Sequence, residues 1–182
     1  MIARSRLFLI ICVSLAMPAT ASAHAVVFPK KSTPGGYEKY VLRVPNEKGV
    51  PTTRVEIRFP AGIRVVSFAD VAGWQLQEVR DSANAVVAAI WTGSLPPERF
   101  VEFPFVAVNP RETTKLAWPA YQTYANGERV EWVGPVDSEK PASSTDIVTA
   151  DTPGSSRVTL YLSIVAVALS LMSLGLALRR AS

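Results

Sequence analysis

The alternation of apolar and charged residues is the feature that most constrains how this chain can fold. Residues 54–59 read Arg-Val-Glu-Ile-Arg-Phe, with an apolar side chain at every second position, and 101–107 show the same period with aromatic residues. A period of two turns one face of a strand towards a core and the other towards solvent. Residues 24–133 contain no sustained helical period. The pattern therefore predicts an all-β body.

Turn-forming residues divide this body into short strands. Besides the two segments above, the candidate strands lie at 37–44, 63–68, 73–79, 85–91 and 128–133. Proline, glycine and asparagine cluster between them, as expected for tight connections. Seven or so strands at this spacing predict one β-sandwich domain over residues 24–133.

The first 23 residues have the composition of a secretory signal peptide. Arg4 and Arg6 precede an apolar stretch, and Ala-Ser-Ala at 21–23 provides the small residues that signal peptidase prefers. We therefore expect residues 1–23 to be removed and His24 to become the first residue. Ala-Thr-Ala at 19–21 and Ala-His-Ala at 23–25 have the same pattern of small residues, so cleavage two residues earlier or later also fits.

The other end of the chain has the composition of a membrane anchor. Residues 158–178 carry no charge and are followed by two arginines within 179–182. About 20 apolar residues span a bilayer, and basic residues remain on its cytoplasmic side. We therefore expect a C-terminal transmembrane helix at 158–178, a cytoplasmic tail at 179–182, and a domain that faces the periplasm or the cell exterior. Residues 134–157, rich in Pro, Ser, Thr and Asp, are expected to form a flexible tether.

The charge of the chain excludes one large class of function. The formal net charge is +4, and it equals the four arginines at positions 4, 6, 179 and 180, so the rest of the chain is neutral. A neutral body lacks the basic surface that nucleic-acid-binding domains need.

Few catalytic side chains are available. His24 is the only histidine, and the only cysteine, Cys12, lies in the predicted signal peptide. A Ser-His-Asp triad would have to use His24, and no nucleophile-elbow motif is present. Structural zinc sites need several Cys or His residues, and glycine-rich phosphate loops are absent. A hydrolase with paired carboxylates stays open, although no motif groups the acidic residues.

The position of His24 predicts a metal site. Cleavage before it would place a free α-amine beside the imidazole, and the amine and the ring nitrogen nearest the backbone can chelate one ion. The α-amine has a pKa of about 7.7–8.0, so a metal displaces its proton readily at neutral pH. Two nitrogen ligands in a plane suit Cu(II), and no Cys or Met of the body is available to favour Cu(I).

Strand parity, the alternation of side chains between the two faces of a strand, suggests a third metal ligand. In 37–44, Glu38 shares a face with Tyr40, Leu42 and Val44. A carboxylate at the end of an apolar row needs a partner. A bound cation at Glu38 is one solution, and an ion pair with Lys or Arg is the other. Likewise, His24 could stand first without binding any metal.

Several segments resemble one protein family, the YcnI-like family of bacterial extracytoplasmic domains. The matching segments are His24-Ala-Val-Val-Phe-Pro-Lys-Lys-Ser-Thr-Pro-Gly-Gly-Tyr-Glu-Lys-Tyr, Arg43-Val-Pro-Asn-Glu-Lys, Pro51-Thr-Thr-Arg-Val-Glu, Gly73-Trp, Phe105-Val-Ala-Val-Asn-Pro, Tyr121-Gln-Thr-Tyr and Val130-Glu-Trp-Val-Gly. They cover nearly all of 24–137 in the order and spacing of the family.

The resemblance implies an immunoglobulin- or cupredoxin-like sandwich that binds Cu(II) through a one-histidine brace. On the family pattern, His24 supplies its amine and imidazole, Glu38 a carboxylate, and Trp132 lies over the metal. Trp118 is close in sequence, and parity does not choose between the two tryptophans. For Trp74 and Trp91 we expect core packing.

The resemblance also implies a role in copper homeostasis, as a metallochaperone or a copper-acquisition factor that exchanges copper with transport or chaperone proteins. Two other classes are open. Copper-dependent oxidative enzymes with an N-terminal histidine need a second His, which this chain lacks, so we expect a protein that is not an enzyme. A metal-free adhesion or sensor module, anchored to the membrane, is the remaining alternative.

Overall fold

The structure is a computed structural model that describes residues 24–149 and 155–181. The signal peptide predicted at 1–23 lies outside the described residues. The chain divides into two compact units, one that ends at Ile147 and one that begins at Val148.

Within the described residues, the first unit is built from twelve β-strands. In chain order these are β1 (Val26–Phe28), β2 (Lys31–Ser32), β3 (Tyr37–Asn46), β4 (Thr52–Arg58), β5 (Arg64–Phe68), β6 (Gln75–Arg80), β7 (Val86–Leu95), β8 (Arg99–Val108), β9 (Thr114–Trp118), β10 (Ala120–Tyr124), β11 (Arg129–Trp132) and β12 (Ser143–Ile147). They form a four-stranded sheet in the order β1-β3-β8-β5, a five-stranded sheet in the order β11-β10-β4-β7-β6 and a three-stranded sheet in the order β2-β12-β9. The all-β prediction is confirmed.

The predicted alternation determines which side chains form the core. On β4, Val55 and Ile57 are fully buried while Arg58 is exposed. On β8, Phe103 and Phe105 are buried in the same way. Because successive strand side chains point to opposite faces, these strands each contribute one apolar face to a shared interior.

Aromatic contacts join the two larger sheets. Trp91 of β7 stacks on Phe103 of β8 with ring centroids 4.4 Å apart, and Trp74 meets the same ring edge-on at 5.0 Å. The core packing expected for Trp74 and Trp91 is therefore confirmed. Replacing a buried aromatic such as Phe103 by alanine costs about 3–5 kcal/mol, so this layer contributes much of the stability of the sandwich.

The flexible tether predicted at 134–157 is wrong for its first part. Ser143–Ile147 forms β12, which pairs antiparallel with β9 and parallel with β2. Ile147 is fully buried in the core, and Gly134 and Pro141 form an isolated bridge before the strand. The Ser/Thr-rich composition conceals an alternating strand whose buried hydroxyls are hydrogen-bonded. Residues 150–154 of the predicted tether lie outside the described residues.

Hydrogen bonds to β12 hold the N-terminal segment in place. The Val27 amide donates to Ser143 Oγ at 2.8 Å, and Thr145 Oγ1 donates to the Pro29 carbonyl at 2.8 Å. The Asp146 amide donates to the Lys30 carbonyl at 2.9 Å. The first residues of the domain are therefore bound to its last strand, and this connection positions His24.

The second unit contains one helix among its described residues, α1 (Ser155–Ala181). The helical part of the prediction at 158–178 is confirmed. No helix in the described part of the chain is long and apolar enough to cross a membrane, so the transmembrane character expected for this segment is not supported.

Candidate metal centre

His24 lies beside Trp132, which is the last residue of β11, at one edge of the five-stranded sheet. The centroids of the imidazole and indole rings are 5.1 Å apart, and the ring planes are tilted by 58°. Ala25, the next residue, is almost fully buried, so the backbone leads directly from the core to the His24 side chain. The two residues expected to meet at a metal are therefore neighbours.

A hydrogen bond defines the tautomer of the His24 ring. Nε2 lies 3.3 Å from the backbone carbonyl oxygen of Glu139. A carbonyl only accepts hydrogen bonds, so Nε2 must carry the proton. In the neutral imidazole, Nδ1 then carries the lone pair. Nδ1 is the nitrogen nearest the backbone, the one that can close a chelate with the α-amine. Metal-binding histidines are commonly oriented by such a bond from their second nitrogen.

The loop that presents this carbonyl is held by backbone hydrogen bonds. The Gly134 amide donates to the Lys140 carbonyl at 2.9 Å, and the Ala142 amide donates to the Gly134 carbonyl at 2.9 Å. A side chain at position 134 would overlap Ser138 Oγ and come within 3.0 Å of the Lys140 carbonyl. Glycine is thus required for the close approach that places Glu139 against His24.

The structure distinguishes the two candidate tryptophans. Trp118 is fully buried, packs on Tyr40 with ring centroids 4.9 Å apart, and donates from Nε1 to Thr145 Oγ1 at 3.0 Å. Trp132 contacts the His24 ring instead, and its Nε1 is buried with no hydrogen-bond partner among the described residues. Trp118 belongs to the core, and Trp132 is the tryptophan of the candidate site.

Glu38 does not lie at this site, contrary to the prediction. Strand β1 pairs Val26 with Arg43 in antiparallel register, so His24 lies towards the C-terminal end of β3. Glu38 is five residues before Arg43, which corresponds to about 16 Å along the strand. Its position on the apolar face is as expected, but its carboxylate accepts a hydrogen bond from Ser32 Oγ at 2.5 Å. The Ser32 hydroxyl is therefore the partner that a carboxylate on an apolar face needs. Glu38 is too far from His24 for the two residues to bind the same metal ion.

A cavity of about 370 Å³ lies next to the His24–Trp132 pair. Trp132 and Glu139, which both contact His24, are part of its wall, as is Glu47. Glu47 immediately follows β3, at the end of the strand nearest His24. Sequence reasoning missed Glu47 because strand parity does not extend past the end of a strand. The available signal was its place in the quoted Arg43-Val-Pro-Asn-Glu segment.

The electrostatics of the cavity reflect several charged groups. Burial raises the pKa of the Tyr124 hydroxyl above its usual range, and the carboxylates of Glu128 and Glu47 raise it further. Lys48 forms an ion pair with Glu128 and lies over the Tyr124 ring at 5.1 Å. The Tyr124 hydroxyl therefore stays neutral at physiological pH, in a wall that carries charges of both signs.

A second, smaller cavity opens on another side of His24. It measures about 260 Å³ and is lined in part by Lys30 and Ser143. Burial lowers the pKa of the Lys30 ammonium, which donates to Ser143 Oγ at 2.8 Å. The imidazole of His24 is thus reachable from solvent although its backbone is anchored.

The chemical capacity of the site is limited to a few ligands. Among the described residues, no group of three or more His, Cys, Asp or Glu side chains could hold a metal ion. A metal at this position would need the His24 α-amine as well as the imidazole, because the chain has no second histidine. Such a set is suited to an ion that binds two nitrogens tightly, as Cu(II) does.

Comparisons with known proteins give one family. Residues 24–149 match the family described as "Domain of unknown function (DUF1775)". The matched range includes β12, in agreement with its place in the sandwich. The chain is also 37% identical over 134 residues to "Copper-binding protein CutI" of Bacillus subtilis (strain 168), an alignment that covers 72% of this chain and 66% of that protein. The chain thus spans slightly less than two thirds of that relative.

A solved structure agrees with the fold. The crystal structure of an uncharacterized protein from Nocardia farcinica, described as having an immunoglobulin-like fold, is 25% identical, with a TM-score of 0.62 over 69% of this chain and 99% of that one. The immunoglobulin-like alternative of the predicted fold class is confirmed.

Proposed function

The chain belongs to the DUF1775 family, which is the YcnI-like family that its sequence resembles, and from this premise we propose that its β-domain binds Cu(II) at a one-histidine brace formed by His24. The bound copper is the protein's cargo, and the domain acts in copper homeostasis as a metallochaperone or a copper-acquisition factor. A copper-binding protein of Bacillus subtilis, 37% identical over 134 residues, supports the choice of metal.

The observation that most directly supports this proposal is the hydrogen bond between His24 Nε2 and the Glu139 carbonyl. It holds the imidazole with Nε2 at this carbonyl, and we propose that Nδ1, the nitrogen nearest the backbone, binds the ion together with the α-amine. A preoriented ligand loses less conformational entropy on metal binding than a freely rotating one. The chain's own contribution is therefore to hold the ring, protonated on Nε2, before the ion arrives.

Two further residues fit a metal at this position. Glu47 is the carboxylate that we propose in place of Glu38, because it lines the cavity that Trp132 also lines. The buried Nε1–H of Trp132, which has no partner among the described residues, suits an anionic or water ligand near the ion.

Binding, rather than catalysis, is the function we propose. Oxidative copper enzymes with an N-terminal histidine use a second histidine, and His24 is the only one in this chain. The imidazole borders a cavity open to solvent, which suits exchange of the ion with another copper-handling protein. Because the amine ligand requires removal of 1–23, we place the domain outside the cytoplasm.

The brace is tested by blocking the α-amine. The domain is prepared as residues 24–149 beginning at His24, and again with the His24 α-amine acetylated. We expect acetylation to weaken Cu(II) binding on the order of 100-fold or more, since joining two ligands in one chelate typically contributes that much. Competition with a chelator of known affinity, followed by calorimetry, measures the difference.

The control keeps the α-amine of His24 free and carries one added glycine after residue 149, where it touches no candidate ligand. It should bind Cu(II) as tightly as the form that begins at His24. Equal affinity of all three proteins would contradict the brace, and mass spectrometry of the N-terminus verifies that each protein begins as designed.

A further inference from the structure

The strand at one edge of the five-stranded sheet, β6, is open to solvent along its whole length. All residues of Gln75–Arg80 are exposed, and they include the apolar side chains of Leu76 and Val79. β7 pairs with one side of the strand, and no other strand of the described residues pairs with its second side. An open edge strand with apolar side chains is a template for pairing with another strand.

The backbone groups that face the open edge belong to alternate residues of β6. One residue past the strand, the Asp81 amide donates to the Ala85 carbonyl at 2.9 Å, across the hairpin that joins β6 to β7. Because backbone groups alternate in direction along a strand, the odd-numbered residues of β6 also direct their N–H and C=O groups towards β7. Leu76, Glu78 and Arg80 therefore present their N–H and C=O groups to the open edge.

The charges of β6 make the strand complementary to itself. Glu78 and Arg80 lie two positions apart, on one face of the strand, and form an ion pair that is largely open to solvent. Charged side chains on an edge strand usually discourage pairing, but opposite charges that lie directly across two strands attract each other. A second copy of β6 that runs antiparallel can bring Glu78 opposite Arg80 twice, once on each side of the symmetry axis.

We propose that two copies of the β-domain associate through antiparallel pairing of their β6 strands, with a twofold axis beside Val79. In this register Glu78 of each copy lies opposite Arg80 of the other, and the two residues exchange both of their main-chain hydrogen bonds. The two Val79 side chains meet at the axis. This association does not rest on the proposed function.

The other twofold registers near the centre of β6 are less favourable. Because directly opposed side chains lie on the same face of a sheet, the axis must fall beside a residue and not between two residues. An axis beside Glu78 or Arg80 would place two like charges opposite each other, which is destabilising. An axis beside Gln77 would place each Glu78 opposite Leu76. The axis beside Val79 is the one that pairs opposite charges.

The proposed association leaves the candidate metal centre accessible in both copies. β6 and β11 form the two opposite edges of the five-stranded sheet, so pairing through β6 joins two such sheets and leaves β11 at the outer edges. With strands about 4.8 Å apart, the two Trp132 residues would lie roughly 40 Å from each other. We therefore expect association and metal binding to be independent.

The test is sedimentation equilibrium of metal-free residues 24–149 at increasing concentration. The core of this unit is complete within those residues. We expect the average mass to rise from that of one domain to that of two. The dissociation constant should be weaker than about 1 μM, because one short strand buries less area than a standard interface.

Amide hydrogen exchange identifies the edge that is used. In the concentrated sample, we expect added protection at the amides of Glu78 and Arg80, which face the open edge. The Val79 amide is directed towards β7 in the single domain as well, so its protection should change least. Added protection confined to residues outside β6 would contradict the proposed edge.

Charge reversal tests the register. Glu78→Arg alone places arginines opposite each other, and Arg80→Glu alone places glutamates opposite each other, so each should weaken association at least about tenfold. An equimolar mixture of the two variants restores both opposite-charge pairs and should associate again, as should the double variant Glu78→Arg/Arg80→Glu. The control is Glu131→Arg, which reverses the matching ion pair with Arg129 on β11 and should leave association unchanged.

Three results would overturn the inference. These are the mass of a single domain at every concentration up to the millimolar range, undiminished association of both single variants, and no association in their mixture. Recovery in the mixture also shows that the single variants are folded. Because no copper is present, failure of the β6 interface and failure of the His24 brace are separately visible.

Discussion

The imidazole of His24 and the indole of Trp132 lie 5.1 Å apart, although the two residues come from opposite ends of the β-domain. Trp132 is fixed by the pairing of β11 with β10, where it lies opposite Ala120. His24 is fixed by the hydrogen bonds of the following residues to β12. The candidate site thus forms only when both ends of the domain are folded together.

The contact predicts which tryptophan reports on copper. Cu(II) quenches indole fluorescence at short range, so we expect Trp132→Phe to lose most of the quenching that Cu(II) produces in the unaltered domain. Titration of tryptophan emission with Cu(II) measures it. Undiminished quenching in Trp132→Phe would contradict the assignment of this residue to the site.

Trp118→Phe is the matched control for that experiment. Trp118→Phe should retain the quenching. It should lower the free energy of unfolding by about 1–3 kcal/mol, because the buried Thr145 hydroxyl loses the hydrogen bond that Trp118 Nε1 donates to it. Chemical denaturation with urea measures this loss, which separates a core tryptophan from a site tryptophan.

The carboxylate at the metal can be identified by spectroscopy. We expect Glu47→Gln to change the electron paramagnetic resonance spectrum of the Cu(II)-loaded domain and to weaken binding about tenfold or more. Glu38→Gln should leave the spectrum unaltered, since its carboxylate is bonded to Ser32 and lies far along β3. A changed spectrum in Glu38→Gln, together with an unchanged one in Glu47→Gln, would reverse the assignment.

The strands that could be predicted from the sequence are those with large alternating apolar residues. The seven predicted strands correspond to β3, β4, β5, β6, β7, β8 and β11. β1 and β2 are only 3 and 2 residues long, too short for a period to appear. β12 reads Ser-Ser-Thr-Asp-Ile, and its alternation consists of hydroxyls whose buried state depends on partners such as Trp118 and Val27. Such pairing between distant segments has no local signal.

Only part of the candidate site could be predicted from the sequence. His24 was identified because it is unique in the composition, and Trp132 because it lies in a family segment. Glu38 was wrongly placed because parity gives the face of a strand but not the end at which another segment arrives. That end is defined by the register of β1 on β3, where Val26 pairs with Arg43. Register between distant strands depends on the whole fold.

Strand β12 should be essential for the stability of the domain. Thr145→Val would leave Trp118 Nε1 and the Pro29 carbonyl without their partner, and we expect the free energy of unfolding to fall by about 2–4 kcal/mol. Urea denaturation measures the effect. Ser144→Ala, on the opposite face of the same strand, should change it by less than about 0.5 kcal/mol. Equal effects of the two substitutions would mean that β12 does not contribute as described.

The glycine at the base of the Glu139 loop should affect copper binding without contributing a ligand. Gly134→Ala introduces a Cβ that overlaps Ser138 Oγ, so the loop must shift and the carbonyl that orients His24 moves with it. We expect Cu(II) affinity to fall about tenfold, as for other residues that orient a ligand. Gly49→Ala is the control, since its Cβ would have no atom within 4 Å. Chelator competition compares the two variants, and equal affinities would contradict the orienting role.

The buried hydroxyl of Tyr40 should make stability fall at high pH. Burial, with a smaller contribution from the Glu38 carboxylate, raises the pKa of Tyr40 to about 12, despite its hydrogen bonds with Ser32 and Asn109. In the unfolded chain the pKa is about 10. The unfolded state therefore releases the proton first. The contribution of Tyr40 to the free energy of unfolding is complete below about pH 10 and falls as pH rises towards 12, by at most about 1.4 kcal/mol per pH unit.

Tyr40→Phe should lack this part of the decline, while losing about 1–2 kcal/mol at neutral pH with the bond to Asn109. Tyr124, whose pKa is also raised by burial, remains in both proteins and cancels in the difference. Urea denaturation of both proteins from about pH 8 to about pH 11 tests this: parallel curves over the whole range would show that Tyr40 does not titrate as its burial requires.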